Sequence, residues 1–83
     1  MGKYEKLWDQ ILRGTSDANI NFDEICRLLL RLGFEERVRG SHQNFRKAGV
    51  EEKINLQRDG QLAKACQVRQ VRTVIVKYKL GDS

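Results

Sequence analysis

The chain has 83 residues, a formal net charge of +5 and a hydrophobic fraction of 40%, which limits it to one domain with a modest core. No apolar run approaches the roughly 18 residues that a membrane span requires, and the opening segment MGKYEKLWDQ lacks the apolar stretch of a signal peptide. The two cysteines, Cys26 and Cys66, belong to no CxxC or Cys/His pattern, which argues against a zinc site. These features predict a cytoplasmic protein with no membrane association, no cofactor and no metal.

Charge is distributed unevenly along the chain. Residues 1–36 contain five Lys and Arg against seven Asp and Glu, whereas residues 37–83 contain eleven against four, so the two parts carry −2 and +7. Residues 37–50 and 60–81 contain no acidic side chain at all. This asymmetry predicts a surface that binds an anion, with nucleic acid as the favoured partner, against the alternative of a basic surface that only confers solubility.

Two amphipathic helices are predicted first. Segment 3–13 repeats its apolar residues at the spacing of one helix face. A second helix over residues 22–32 has the capping-box pair Asn21 and Glu24 at its beginning, and Gly33 ends it. Its leucine stripe is typical of a buried core face.

The period of the pattern then changes to that of strands. Three segments alternate apolar and polar residues: FEERVR (34–39), HQNFRK (42–47) and VEEKINLQ (50–57). Two-residue turns at Gly40-Ser41 and Ala48-Gly49 would join them into an antiparallel meander. Residues 58–66 are predicted to form a loop.

The last segment, QVRQVRTVIVKYKL (67–80), is compatible with two structures. Its apolar residues from Val68 onward form a helical stripe, whereas residues 73–76 are largely β-branched and continue into a strand-like alternation. The length of the segment and the spacing of its apolar residues favour a helix.

A meander places alternate side chains on opposite faces of the sheet. The inner face gathers apolar residues that would pack on the helices: Phe34, Val38, Phe45, Ile54 and Leu56. The outer face gathers cations, amides and the only histidine: Arg37, Arg39, His42, Asn44, Arg46, Lys53, Asn55 and Gln57. Any one-sided sheet has a polar outer face, but this donor set suits phosphates and sugar hydroxyls. Because no aromatic residue is predicted there, recognition of an RNA backbone is favoured over a stacking platform.

His42 follows the first predicted turn, where a ligand can approach closely. A lone histidine is usually structural or incidental. A neutral imidazole at this place can, however, take a proton from a ribose 2′-hydroxyl, so that the alkoxide attacks the adjacent phosphorus without a metal. Arg39, Arg46 or Lys47 could offset the charge that gathers on the phosphorane. The chain has no second histidine to protonate the leaving group. A lysine, water or a partner subunit would have to serve as the acid, or this step would go uncatalysed and the enzyme would be slow.

The order helix, three strands and helix, together with the Gly-Ser-His turn, resembles the HicA toxins, the small mRNA interferases of HicAB toxin–antitoxin systems. The resembling segments lie within residues 20–80: LLLRLGFEERVRGSHQNFRK (28–47), EEKINLQ (51–57) and QVRQVRTVIVKY (67–78). The resemblance implies an α+β, double-stranded-RNA-binding-like α-β-β-β-α fold, with a three-stranded antiparallel sheet, helices on one face and a helical last segment. It also implies metal-independent cleavage of mRNA by His42 and an antitoxin of the HicB kind that covers the active face.

The chain departs from that family at two places. Many members carry a second histidine where Gln43 stands, on the side that the strand pattern turns inward. Many also begin the last helix with a proline and an aromatic residue, where Ala65 and Cys66 stand here, so a helix-start signal is missing.

The sequence thus predicts an N-terminal helical extension with its connector (1–19) and a HicA-like RNA-binding or ribonuclease domain (20–80). The amphipathic face of the extension could pack on the domain or contact a partner, and packing is favoured. His42 is the predicted general base. The predicted RNA contacts are Arg37, Arg39, Ser41, Asn44, Arg46, Lys47 and Lys53. Two other interpretations stay open: a non-catalytic RNA-binding module of the same fold, and a protein-interaction domain that binds an acidic partner.

Overall fold

The computed structural model describes residues 3–40 and 42–81 and shows an α+β fold, as predicted. The elements in chain order are helices α1 (Lys3–Arg13) and α2 (Phe22–Arg31), strands β1 (Glu35–Arg39), β2 (His42–Arg46), β3 (Ile54–Asp59) and β4 (Leu62–Ala63), and helix α3 (Ala65–Tyr78). A short 3-10 helix, Asp17–Asn19, lies between α1 and α2. The strands form one antiparallel sheet in the order β1-β2-β3-β4. Across residues 3–40 and 42–81, the helices are too short or too polar to cross a membrane.

Helix α2 begins and ends where its local sequence signals place it. The side chain of Asn21 accepts a hydrogen bond of 3.0 Å from the backbone N–H of Glu24, which satisfies one of the free donors of the first turn. At the other end Gly33 has a φ of +97°, and the N–H of Phe34 donates to the carbonyl of Leu29 at 3.1 Å. The bond from Phe34 and the positive φ of Gly33 are those of a Schellman stop. The predicted helix boundaries are therefore confirmed to within one residue.

The hairpin between β1 and β2 is also confirmed. Arg39 pairs directly with His42, so two residues connect the strands. Gly40 has a φ of +59°, which glycine adopts without a steric cost. Ser41 lies outside the described residues.

The connection between β2 and β3 is longer than predicted. A turn at Gly49 is present, with a bond from the N–H of Val50 to the carbonyl of Lys47 at 3.0 Å, but β3 begins only at Ile54. The preceding residues turn toward α3 instead: the hydroxyl of Tyr78 accepts from the backbone N–H of Glu51 at 3.2 Å and donates to the carboxylate of Glu52 at 2.6 Å. These contacts replace the strand predicted for residues 50–53.

The predicted loop over residues 58–66 is wrong in part, because it contains a second hairpin. Arg58 pairs with Ala63 and Asp59 with Leu62. Backbone bonds from the N–H of Phe22 to Gln61 (2.9 Å) and from the N–H of Ala63 to Ile20 (2.8 Å) attach the other side of this hairpin to the segment before α2. The sheet therefore has four strands rather than three.

The last segment forms the helix α3, as the resemblance implied. Near its beginning, the side-chain oxygen of Gln67 accepts a bond of 2.7 Å from the backbone N–H of Gln57, which places this part of α3 beside β3. Farther along, Arg72 donates to the carboxylate of Asp17 at 2.8 Å and to the carbonyl of Ile11 at 3.3 Å. The beginning of α3 thus contacts the sheet, and the middle of α3 contacts the end of α1.

One hydrophobic core lies between the helices and the inner face of the sheet. Phe45, Ile54 and Leu56 are fully buried in it, and α1 contributes Leu7 and Ile11, which confirms that the N-terminal helix packs on the domain. Val38 is the exception to the predicted inner face, since it is 61% exposed. The helices pack mainly on β3 and β4, so the outermost strand β1 extends beyond them.

Candidate functional site

The strand register confirms the predicted outer face. Arg37 pairs with Asn44, which pairs with Asn55, and Arg39 pairs with His42, which pairs with Gln57. Residues paired in this way point to the same side of a sheet. We define the outer face by these residues and three more that flank them: Glu35, Arg37, Arg39, His42, Asn44, Arg46, Lys53, Asn55 and Gln57.

A shallow concavity of about 440 Å³ occupies the β1–β2 part of the outer face. Its lining consists of four cations, one carboxylate and one amide: Arg37, Arg39, Arg46, Lys53, Glu35 and Asn44. Within the described part of the chain, none of these four cations forms an ion pair with an acidic side chain. Glu35 offsets part of this charge, but an excess of cations on a concave surface concentrates anions there, so the concavity suits phosphate groups.

His42 is half-buried at the hairpin end of this face and is held by two amides. Its Nδ1 lies 3.3 Å from Oδ1 of Asn55. The side-chain nitrogen of Gln57 lies 3.2 Å from both ring nitrogens. The imidazole is therefore fixed in position by residues of the neighbouring strand β3.

The contact with Asn55 distinguishes the two ring nitrogens of His42, because the Gln57 nitrogen is equally far from both. Lys64 donates from Nζ to Oε1 of Gln57 at 3.0 Å, which directs the amide nitrogen of Gln57 toward His42. With Oδ1 of Asn55 as the acceptor, the contact favours the tautomer that carries its proton on Nδ1. That tautomer leaves the lone pair of Nε2 for the role of a general base.

Not every predicted RNA contact lies on the outer face. Arg37, Arg39, Asn44, Arg46 and Lys53 line the concavity together. The ammonium group of Lys47 instead lies beside Gly33, at the end of α2, because its position in the alternation points it to the inner side. Ser41 is not among the residues that the structure describes.

Gln43 points to the inner side, as the strand alternation predicted. Its amide donates to the carboxylate of Glu36, and its oxygen lies 3.9 Å from Sγ of Cys26. Gln43 therefore does not join the outer face.

Sequence reasoning missed three residues around His42. Asn55 and Gln57 were placed on the outer face without a role, and Lys64 fell in the predicted loop. A signal for the correct structure was present, because Gly60 follows an alternating segment and a glycine suits the first place of a two-residue hairpin loop, which here is Gly60-Gln61 between Asp59 and Leu62. That hairpin is what returns Lys64 to the side of Gln57.

The structure offers little support for other chemistries. Burial, with smaller contributions from Glu36 and Asp23, raises the pKa of the Cys26 thiol to about 12, so this cysteine is a poor nucleophile at neutral pH. In the parts of the chain that are described, no three His, Cys, Asp or Glu side chains form a group that could hold a metal ion. His42 is thus the imidazole of the outer face, and an imidazole can both accept and donate a proton.

Comparisons with protein-family models, with curated proteins and with solved structures found no match to this chain. Its function is therefore inferred from its own residues and from their arrangement.

Proposed function

We propose that the chain is a HicA-like endoribonuclease that cleaves mRNA without a metal and is neutralised by a HicB-like antitoxin. The observation that supports this proposal best is the setting of His42. Its imidazole, with Nδ1 3.3 Å from Oδ1 of Asn55, lies beside a concavity lined by four cations. A phosphate-binding surface next to a general base is the minimum that metal-free RNA cleavage requires.

The fold is compatible with the double-stranded-RNA-binding-like arrangement that the resemblance implies. From α2 onward the order is one helix, an antiparallel sheet and one helix, with the helices on the inner face. The two-residue strand β4 is an addition to the expected three strands. This arrangement leaves the outer face open to a ligand.

In the proposed reaction, Nε2 of His42 removes the proton of a ribose 2′-hydroxyl. The 2′-oxygen then attacks the adjacent phosphorus, the bond to the 5′-oxygen breaks, and the products carry a 2′,3′-cyclic phosphate and a 5′-hydroxyl. Arg39 is the cation nearest to His42 by register and stabilises the negative charge of the phosphorane. Arg37, Arg46, Lys53 and Asn44 bind the neighbouring phosphates and sugars. Lys47 is left out of this set because of its position.

The same surface gives the antitoxin its binding site. An acidic partner placed over the concavity would neutralise the four cations and cover His42, so inhibition requires no change in the shape of the enzyme. In this proposal the protein acts in the cytoplasm, where it meets mRNA.

The test is cleavage of a labelled mRNA in the presence of EDTA by the purified protein and by a His42→Ala variant. We expect the wild type to release fragments with 2′,3′-cyclic ends and the variant to lose at least about 100-fold in rate, which is the usual contribution of a general base. Both proteins should bind the RNA with similar affinity. Arg46→Ala should weaken binding, whereas Arg69→Ala, an exposed cation on α3, serves as the charge-matched control.

Each of the other outcomes contradicts the proposal in a different way. Equal cleavage by the wild type and by His42→Ala would exclude His42 as the base. Binding by both without cleavage by either would indicate a non-catalytic RNA-binding module. If neither binds RNA at low salt, where phosphate contacts are strongest, the protein-interaction alternative is favoured.

A further inference from the structure

Lys64 lies on the opposite side of Gln57 from His42. Its Nζ donates to Oε1 of Gln57 at 3.0 Å, and Nε2 of the same amide lies 3.2 Å from Nε2 of His42. Lys64 is exposed and precedes the first residue of α3. One amide group therefore separates an ammonium group from an imidazole.

The hydrogen bonds of the Gln57 amide with these two groups resemble those that a reacting phosphodiester would form with a general base and a general acid. Its oxygen accepts a hydrogen bond from the ammonium, and its N–H donates one to the imidazole. In RNA cleavage the 2′-hydroxyl donates to the base, and the 5′-oxygen that leaves accepts from the acid. His42 and Lys64 are thus placed to contact the two ends of one small polar group.

Arg39, His42, Gln57 and Lys64 follow one another across the sheet. His42 is paired with Arg39 on one side and with Gln57 on the other, and Lys64 bonds to the side chain of Gln57. The concavity of about 440 Å³ includes Arg39 at one end of this row. A second concavity of about 360 Å³ includes Gln57, Arg58 and Lys64, but it also includes the inner-side residues Val38 and Gln43. An RNA strand that follows the row from the first concavity would reach His42 and then Lys64.

Lys64 is also the suitable proton donor among the cations of the second concavity. The other cation there is Arg58, which forms an ion pair with Asp23 and lies over the ring of Phe22, 4.6 Å from its centroid. A guanidinium group in addition does not give up its proton in proteins. An ammonium group can do so, and it is attached here to a flexible chain.

We propose, resting on the ribonuclease function above, that Lys64 is the general acid of the reaction. The bond between phosphorus and the 5′-oxygen breaks, its electron pair stays on that oxygen, and the oxygen takes a proton from the ammonium of Lys64. In the same reaction the 2′-oxygen gives its proton to His42 and forms its bond to phosphorus. Exchange with water then returns a proton to Lys64 and removes one from His42. The amide of Gln57 occupies the substrate's place and is displaced when RNA binds.

The experiment compares two RNA substrates that differ in one atom of the leaving group. The first is an ordinary oligoribonucleotide, and the second has a single bridging 5′-sulfur at the cleavage site, which leaves as a thiolate and needs no acid. The proteins are the wild type, Lys64→Ala, Lys64→Arg and Lys6→Ala. Lys6 is an exposed cation on α1 and controls for the loss of one positive charge. Thermal unfolding of each variant confirms that it is folded.

We expect Lys64→Ala to cleave the oxygen substrate about 100-fold more slowly than the wild type and to cleave the sulfur substrate at close to the wild-type rate. Lys64→Arg should behave like Lys64→Ala, since it retains the charge but cannot donate the proton. Equal losses on both substrates, rescue by arginine, or unchanged cleavage by Lys64→Ala would each overturn the role of Lys64. If the wild type cleaves neither substrate, the ribonuclease proposal itself fails, and that outcome is distinct from the other three.

Discussion

At the residue scale, the chemistry of His42 depends on two amides of β3. Asn55 and Gln57 both approach the ring, and neither has a charge of its own. Asn55 favours the tautomer that carries its proton on Nδ1, as second-sphere groups do for many catalytic histidines. In the proposed reaction Gln57 gives up its place beside the ring to RNA. Because the chain has only one histidine, its ring nitrogens can be observed without overlap from another residue.

Replacing Asn55 by alanine should shift the neutral imidazole away from the tautomer that carries its proton on Nδ1. The reason is the loss of the acceptor 3.3 Å from Nδ1. Nitrogen-15 NMR of labelled protein above neutral pH measures the two tautomers directly, and the rate of RNA cleavage should fall together with the Nδ1-protonated fraction. Asn44→Ala, an amide on the same face that pairs with Arg37 and Asn55, is the matched control for the NMR measurement. An unchanged tautomer ratio in Asn55→Ala would refute the assignment.

From the sequence, only the part of the site that depends on strand alternation could be predicted. Period-two spacing placed His42 among Arg37, Arg39 and Asn44 correctly, because the faces of a strand follow from the order of its residues alone. The neighbours of His42 beyond that depend on tertiary structure. Lys64 approaches Gln57 only because of the β3–β4 hairpin. The inner position of Lys47, by contrast, follows from the same alternation that places Arg46 on the outer face.

At the scale of elements, local signals and long-range contacts determined different parts of the fold. Helix α2 was predictable because Asn21 and Gly33 act within a few residues of themselves. Strand β4 has only two residues, too few for any period to be recognised. The late start of β3 arises from contacts with Tyr78, which lies far along the chain.

Glu52 connects the segment before β3 to the last turn of α3, and this connection should make stability depend on pH. Hydrogen bonds from Lys77 and Tyr78 lower the pKa of Glu52 from 4.5 to about 2. Since the folded-state pKa is the lower one, the stabilisation is fully present above pH 4.5 and is lost as the pH falls toward 2. The free energy of unfolding of Glu52→Gln, measured by urea denaturation, should therefore fall less steeply over this interval than that of the wild type.

Glu51→Gln is the matched control for this measurement. Glu51 is exposed, and only its backbone N–H takes part in the contact with Tyr78. Its variant should keep the slope of the wild type. A Glu52→Gln variant with that same slope would show that the contact does not form in solution.

At the scale of the whole molecule, α1 and the rest of the chain share one core. Leu7 and Ile11 belong to the same cluster as the buried residues of the sheet, and Arg72 bonds to the carbonyl of Ile11 and to Asp17. We therefore expect one cooperative unfolding transition rather than separate melting of α1.

Two adjacent residues of α1 test this expectation. Ile11 is 0% exposed and Leu12 is 38% exposed. Ile11→Ala should lower the free energy of unfolding of the whole molecule by about 2–5 kcal/mol, whereas Leu12→Ala should change it by well under about 1 kcal/mol. Denaturation followed by circular dichroism and by Trp8 fluorescence should give coincident curves for both. If Ile11→Ala affected only the fluorescence, α1 would be an independent element.

Strand β1 has a consequence for how the molecule behaves at high concentration. It is the last strand on its side of the sheet, and all five of its residues are exposed. A free strand edge can pair with the edge of another molecule and start aggregation, and charged side chains are a common protection against this. Four of the five side chains, all except Val38, carry charge. We therefore expect that replacing Arg37 and Arg39 with neutral residues would weaken this protection of the edge together with any affinity for phosphate.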